Sequence, residues 1–234
     1  MYHLITGGSS GLGLEIAKML MRMDEHVIIL GRNKQKLDQA LEQLKAISKK
    51  GDALAYSIDI SDETEVDGFV DTLETSGKTV RYLYNVAGTT YYGPVEGVNR
   101  ETIDEVLSSN MIGLMLFTSK MLKTLLKSPY EEKRIISVLS TAALIGKKHE
   151  SIYNAAKWGA RGYLESLRDE LKDRPVSVIN IFPGGMKTPF WTGTQSGYDI
   201  DSFMDPADVA RNIVKIALDT KVYVSDITIN RPKG

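Results

Sequence analysis

Short, continuous apolar runs alternate along this chain with longer stretches in which apolar residues return at every third or fourth position. The first kind suits strands buried on both faces, and the second suits helices with one apolar face. Strands are predicted over Tyr2–Thr6, Val27–Leu30, Ala53–Ile58, Val80–Val86, Arg134–Leu139, Val176–Phe182 and Val222–Ile229. A helix is predicted over Leu12–Met23, where Leu12, Ile16, Met19, Leu20 and Met23 share a face. A second covers Asn33–Lys49, with Leu37, Leu41, Leu44 and Ile47 aligned. Glu63–Thr75 follows, begun by Ser61 or Asp62 as N-cap. Arg100–Lys127 reads as helical almost throughout and stops before Pro129. Ser151–Lys172 and Pro206–Leu218 complete the set, the latter with Pro206 in its first turn. Between them Pro183–Met204 is irregular and rich in Gly, Thr and aromatic residues. Alternating strands and helices with buried strands imply a parallel sheet covered on both faces. No linker, repeat or low-complexity tract divides the chain. Residues 1–234 therefore read as one α/β domain, a doubly wound, Rossmann-type fold with a seven-stranded parallel sheet.

Composition narrows the class without changing that picture. Hydrophobic residues make up 42% of the chain and charged residues 25%, ordinary values for a soluble globular protein. With 29 basic and 30 acidic residues there is no basic footprint for nucleic acid or for an anionic membrane. There are no cysteines, so disulfides and thiolate chemistry are excluded. The first residues run straight into a strand, and no apolar run approaches the ~18 residues of a membrane span. A cytoplasmic protein is expected.

The turn after the first strand carries the first chemical signal. It reads Thr6-Gly7-Gly8-Ser9-Ser10-Gly11-Leu12-Gly13, a G-x-x-x-G-x-G spacing between a strand and a helix. Glycine permits positive φ and close backbone approach there, and a helix N-terminus offers free N–H groups to a pyrophosphate. A plain turn with incidental glycines is the alternative. A dinucleotide site that selects NAD places Asp or Glu at the end of the second strand. Here that position reads Leu30-Gly31-Arg32-Asn33, with no carboxylate and with an arginine whose planar fork suits a 2′-phosphate. NADP(H) is the expected cofactor, the alternative being an ordinary surface arginine.

A second signal lies farther along. Ser140 follows the fifth strand, Tyr153 begins a helix, and Lys157 lies one turn later on the same face. Hydride transfer to a carbonyl leaves an alkoxide that needs a proton. A free tyrosine, with a pKa of about 10, is a poor base near neutrality. A neighbouring ammonium and an oxidised nicotinamide both favour the phenolate. Tyr-x-x-x-Lys alone arises often on helices, but with Ser140 and the glycine turn it points to catalysis.

In combination these motifs resemble the short-chain dehydrogenase/reductase family over essentially the whole chain. The matching segments are Thr6–Gly13, Asn85-Val86-Ala87-Gly88, Asn110, Ser140, Tyr153 with Lys157, and Pro183-Gly184. The resemblance implies an NADP(H)-dependent oxidoreductase that interconverts a carbonyl and an alcohol, with Tyr153 as general acid/base. It implies that Lys157 binds the nicotinamide ribose and lowers the Tyr153 pKa. Ser140 orients the carbonyl, and Asn110 holds a water that extends a proton relay. Gly7, Ser9, Ser10, Gly11, Leu12 and Gly13 would hold the pyrophosphate, and Arg32 with Asn33 the adenosine ribose. Asp59 and Ile60 would flank the adenine, Asn85, Ala87 and Gly88 would back the ribose, and Pro183, Met186 and Thr188 would border the nicotinamide. Asp59 as a turn cap, Asn85 as a strand-end brace and Thr188 as a loop hydroxyl are the alternatives. The family's habit of pairing helices predicts a homodimer or homotetramer around Arg100–Lys127 and Ser151–Lys172.

Other features weigh less. His3, His26 and His149 show no ligand spacing, so no metal is expected. His149 reads as an exposed loop residue. Tyr91, Tyr92, Phe190 and Trp191 line a substrate pocket or pack a core or interface. The stretch Gly185–Asp205 leaves room for only a small lid, and Tyr223–Pro232 lacks a glycine-rich ending. A catalytically silent NADP(H)-binding regulator is the alternative function. The small-molecule substrate is not readable from these residues.

Overall fold

The first strand, β1 (Tyr2–Thr6), lies in the middle of the sheet, and the chain winds outward from it in both directions. In the computed structural model, which describes residues 1–194, 196–219 and 221–232, seven parallel strands run in the order β3-β2-β1-β4-β5-β6-β7. They are β1, β2 (His26–Gly31), β3 (Ala53–Ser57), β4 (Val80–Asn85), β5 (Lys133–Val138), β6 (Val176–Pro183) and β7 (Asp226–Ile229). Between them run α1 (Gly11–Arg22), α2 (Lys34–Ile47), α3 (Glu63–Thr75), α4 (Arg100–Leu107), α5 (Gly113–Lys127), α6 (Ser151–Glu170) and α7 (Pro206–Leu218).

Alternation along the strands builds two cores. Leu4, Ile28, Leu83, Ile135 and Val178 face α3, α5 and α6, whereas Ile5, Ile29, Tyr84, Ile136 and Ile179 face α1, α2 and α7. The sheet is therefore a doubly wound one, as the apolar runs predict. Because β1 lies between β2 and β4, connections leave its two sides in opposite directions, and a crevice opens beyond the strand ends.

Two elements differ from the sequence reading, and a choice it left open is settled. The N-cap of α3 is Asp62, whose side chain accepts from Thr64 N and Glu65 N, and not Ser61. The long helix Arg100–Lys127 is interrupted at Ser108–Ile112 by one π-helical turn. Inside it Asn110 Nδ2 donates to Val106 O at 2.9 Å, competing for a carbonyl of the helix ladder, and to Thr89 O at 2.8 Å. The last strand begins at Asp226 and not at Val222. There Arg168 donates to Val178 O and Ser225 O, and the Tyr223 hydroxyl also donates to Val178 O. Those side chains occupy backbone acceptors that earlier strand pairing would need.

Candidate active site

The phosphate end of the crevice is built from the turn between β1 and α1. A Cβ on Gly13 would lie 2.3 Å from Gly7 O, so the helix packs against the turn only because that side chain is absent. Gly7 and Gly11 adopt positive φ. Ser10 at the N-cap gives no side-chain hydrogen bond and the first turn of α1 carries no acid, so its N–H groups face the crevice uncompensated. Thr6 Oγ1 accepts from Val86 N at 3.0 Å and Ala87 N at 3.1 Å, tying the loop after β4 to the end of β1. These residues fit a dinucleotide pyrophosphate.

A cavity of about 490 Å³ runs from this turn in both directions along the strand ends. At one end lie Gly31, Arg32 and Asn33, the last capping α2 by accepting from Lys36 N. Arg32 is 62% exposed, and its Nη1 lies 3.8 Å from Asp59 Oδ2. Asp59 is itself held, with Oδ1 accepting from Ser61 N and Oγ and with its N–H donating to Glu65 Oε2. Ile60 lines the same wall and packs where a Gly113 side chain would stand. Lys36 also lines this end, a second cation that the motif reading missed. Its position three residues beyond Asn33, in the first turn of α2, was the available signal.

At the other end Ser140, Tyr153 and Lys157 meet in one wall. Ser140 follows β5 and caps the short turn after it, its Oγ accepting from Ala142 N at 3.1 Å. Tyr153 and Lys157 stand one turn apart on α6, both buried. Lys157 Nζ lies 5.7 Å from the centre of the Tyr153 ring and donates to Val138 O at 3.3 Å. Asn154, between them on the helix, donates to Ala142 O and Ile145 O and accepts from Lys147 N. This residue, which sequence reasoning did not single out, pins the post-β5 loop carrying Ser140 to the helix carrying Tyr153.

Burial sets the electrostatics here. It pushes the Tyr153 hydroxyl well above the ordinary tyrosine value. The Ser140 hydroxyl beside it works the other way, and the charge of Glu150 adds to the rise. Burial also draws Lys157 down from 10.5 to about 8. In the chain alone burial therefore favours the protonated Tyr153.

Two predicted residues lie behind the wall. Asn85 does not reach the cavity: its Nδ2 donates to Thr118 Oγ1 and Ser137 Oγ, the brace between strand ends that was its alternative reading. Asn110 stands directly behind Gly88, where a Cβ would come within 2.5 Å of Asn110 Oδ1. That oxygen is buried without a hydrogen-bond partner among the described residues. Ala87, Gly88, Pro183, Met186 and Thr188 all line the cavity.

Phe190 and Trp191 overhang the catalytic end, Phe190 edge-on to Tyr153 at 5.7 Å between ring centres. Tyr91 and Tyr92 do not line it. Tyr92 packs on His149, which is half-buried and not an exposed loop residue. Among the described residues no helix is long and apolar enough to cross a membrane.

Comparison with known proteins agrees with this geometry. Residues 2–199 match the family profile described as short chain dehydrogenase. A 3-oxoacyl-(acyl-carrier-protein) reductase of Bos taurus is 29% identical over 184 residues, covering 79% of this chain and 75% of its own. A short-chain dehydrogenase/reductase of Vibrio parahaemolyticus superposes with a TM-score of 0.81 at 30% identity, covering 99% of this chain and 100% of that one. An alcohol dehydrogenase of Thermococcus sibiricus, solved with 5-hydroxy-NADP, shares the fold with a TM-score of 0.86 at 21% identity, over 100% and 99% of the two chains. The chain belongs to the short chain dehydrogenase family of oxidoreductases.

Proposed function

We propose that this protein is an NADP(H)-dependent oxidoreductase that interconverts a carbonyl and an alcohol, with Tyr153 as the proton-transfer residue. The reading rests on one observation above all. A single cavity joins an uncompensated helix N-terminus, a strand end bearing Arg32 in place of a carboxylate, and the buried Ser140, Tyr153 and Lys157.

Bound dihydronicotinamide would supply a hydride to the carbonyl carbon. Ser140 donates to the carbonyl oxygen and fixes its orientation. Tyr153 gives its hydroxyl proton to the same oxygen as the C–O π electrons move onto it. In the reverse direction the phenolate takes that proton back. Lys157 would hold the nicotinamide ribose, and an oxidised ring bound there would supply positive charge that favours the Tyr153 phenolate. Asn110 Oδ1, unpartnered behind Gly88, accepts from a water that returns protons to Lys157. Arg32 and Lys36 bind the 2′-phosphate.

The exposed Ile112, Met115 and Trp158 on the α5–α6 side of the molecule support a homodimer or homotetramer. The test of function is oxidation of NADPH and of NADH across ketones, aldehydes, hydroxy acids, sugars and 3-oxoacyl thioesters, the last after the bovine relative's name. Turnover with NADPH on at least one carbonyl is expected. Cofactor binding without turnover on any class returns the silent-regulator alternative.

A further inference from the structure

The catalytic cavity contains a carboxylate that the proposed chemistry does not use. Glu150 precedes α6 as its N-cap residue, three positions before Tyr153, and is only 2% exposed. A buried acid at an N-cap normally bonds the helix N–H groups, yet this side chain makes no capping bond. It turns to the loop after β6, where Oε1 accepts from the Tyr198 hydroxyl at 2.8 Å. Oε2 makes no hydrogen bond among the described residues and is not sealed from solvent.

The surroundings place that carboxylate deliberately. His149, just before it, adopts φ of 67°, a conformation that non-glycine residues adopt at a cost. The turn is held because His149 O accepts from Gly93 N at 2.9 Å and the His149 ring packs on Tyr92. Tyr92 and Trp191 in turn pack edge-on against Tyr198. Loops following β4, β5 and β6 thus converge on Glu150. The residue lines the same cavity as Tyr153, and its charge is near enough to oppose ionisation of the tyrosine. Lys147 in the same wall donates to Thr141 Oγ1 at 3.1 Å, a contact that fixes its position and leaves its charge in place.

We propose that Glu150 is a specificity-determining residue, selecting carbonyl substrates that carry a hydrogen-bond donor, an ammonium or a hydroxyl group, and rejecting those that carry a carboxylate. The inference rests on the oxidoreductase reading of this site. A buried carboxylate with an unused oxygen gains a charge-assisted bond from a donor, and it repels an anion with little water to screen the two charges. The aromatic side chains Phe190 and Trp191 provide the flat apolar wall along which the remainder of such a substrate lies.

The test compares acetophenones bearing meta or para aminomethyl, hydroxymethyl, ethyl or carboxylate groups at neutral pH, with wild type and Glu150→Gln. The amide oxygen of glutamine still accepts from Tyr198, so the loop contact is retained. Turnover is measured with NADPH, and binding to the NADP-loaded enzyme is measured by calorimetry. Wild type is expected to favour aminomethyl over ethyl by about 10- to 100-fold, the range of one charge-assisted bond. In Glu150→Gln that preference collapses, the hydroxymethyl compound keeps part of its advantage, and the carboxylate gains about tenfold or more. The ethyl compound is the reference within each protein, because losing the Glu150 charge also eases ionisation of Tyr153 and shifts turnover of every substrate alike. An unchanged order in the variant, or a wild type that binds aminomethyl no better than ethyl, overturns the proposal. Binding selectivity without turnover removes the oxidoreductase reading and with it selection among substrates, leaving Glu150 as the selecting residue of a binding site, whereas turnover without the selectivity overturns the proposal alone.

Discussion

Removing Arg32 should weaken the proposed preference for NADP(H) by a modest factor, because the arginine is not idle before the cofactor arrives. Its Nη1 lies 3.8 Å from Asp59 Oδ2, with 62% of the arginine side chain and 36% of the aspartate exposed. Such an exposed pair is worth about 0.2–1 kcal/mol. A charge-assisted bond to a 2′-phosphate is worth about 1.5–3 kcal/mol. Forming it at the expense of the Asp59 contact leaves a net of about 1–2 kcal/mol, or roughly 5- to 30-fold in affinity. Arg32→Ala is therefore expected to lower kcat/KM for NADPH by that factor and to leave NADH within about twofold, since no 2′-phosphate is present to lose. Asp59→Asn should act in the opposite direction, raising kcat/KM for NADPH a few-fold by freeing the guanidinium and removing a negative charge near the phosphate. Lys36 keeps a residual preference in Arg32→Ala. The measurement is kcat/KM with both cofactors on one accepted carbonyl at fixed ionic strength, since exposed charges are screened by salt. Equal losses for NADPH and NADH in Arg32→Ala would mean that the arginine does not read the phosphate.

Three substitutions and one mass measurement test the other assignments. Tyr153→Phe should leave cofactor affinity nearly intact and reduce kcat by ~10²–10⁴, the usual range for a lost general acid; a wild-type kcat rejects the assignment. Lys157 has a folded-state pKa of about 8 against the ordinary 10.5, so below pH 8 its buried charge costs the cofactor-free fold on the order of 3 kcal/mol, a cost that disappears as pH rises toward 10.5. Lys157→Met should thus raise the Tm of the cofactor-free protein at pH 7 and much less at pH 10 while abolishing turnover, and a lower Tm at pH 7 contradicts the assigned burial. Gly88→Ala sets a methyl 2.5 Å from Asn110 Oδ1 and should lower kcat about tenfold or more, the ~1.4 kcal/mol of a displaced side chain, whereas unchanged kinetics separate Asn110 from catalysis. Light scattering should give a multiple of the 25.9 kDa chain mass, and a monomer at working concentration removes the proposed helix pairing.

The legible parts of this molecule were those fixed by short-range chemistry. Apolar runs gave β1, β2, β4, β5 and β6 because strands buried on both faces are built largely from apolar residues. Gly7 to Gly13 announced the cradle because no other side chain fits at Gly13. Arg32 stood out because a carboxylate was missing from the place beside it. Less legible were features decided by contacts distant in sequence. Asn110 sits on a π-helical turn that an apolar period cannot reveal, since its cause is a bond to Thr89 O, 21 residues away. Nothing local in the sequence singles out Glu150, because its partner Tyr198 lies 48 residues on. The last strand was read too long because Tyr223 and Arg168 divert its backbone acceptors, and no local pattern in Val222–Ser225 records that.

One row of the sheet separates what stabilises this protein from what equips it for chemistry. Thr6, Asn85, Ser137, Asn180 and Asp226 are neighbours in register across β1, β4, β5, β6 and β7. Immediately before the row, the central strands are apolar on both faces and fully buried, and they supply the hydrophobic stabilisation. At it β1 and β4 leave the sheet for loops that line the cavity, while β5 runs on to Val138, β6 to Pro183 and β7 to Ile229. The row costs stability, because Asn85 Oδ1 and both polar atoms of Asn180 are buried without partners among the described residues. Its return is positional. Thr6 fixes two N–H groups of the loop after β4, and Asn85 ties Ser137 to Thr118 on α5. A fully apolar row would bury more hydrocarbon but would leave the loops bearing Ala87, Gly88 and Ser140 without side-chain anchors at their roots. Hydride transfer depends on holding donor, carbonyl and proton source within fractions of an ångström, so rigidity at these strand ends is worth more to the site than the stability it costs.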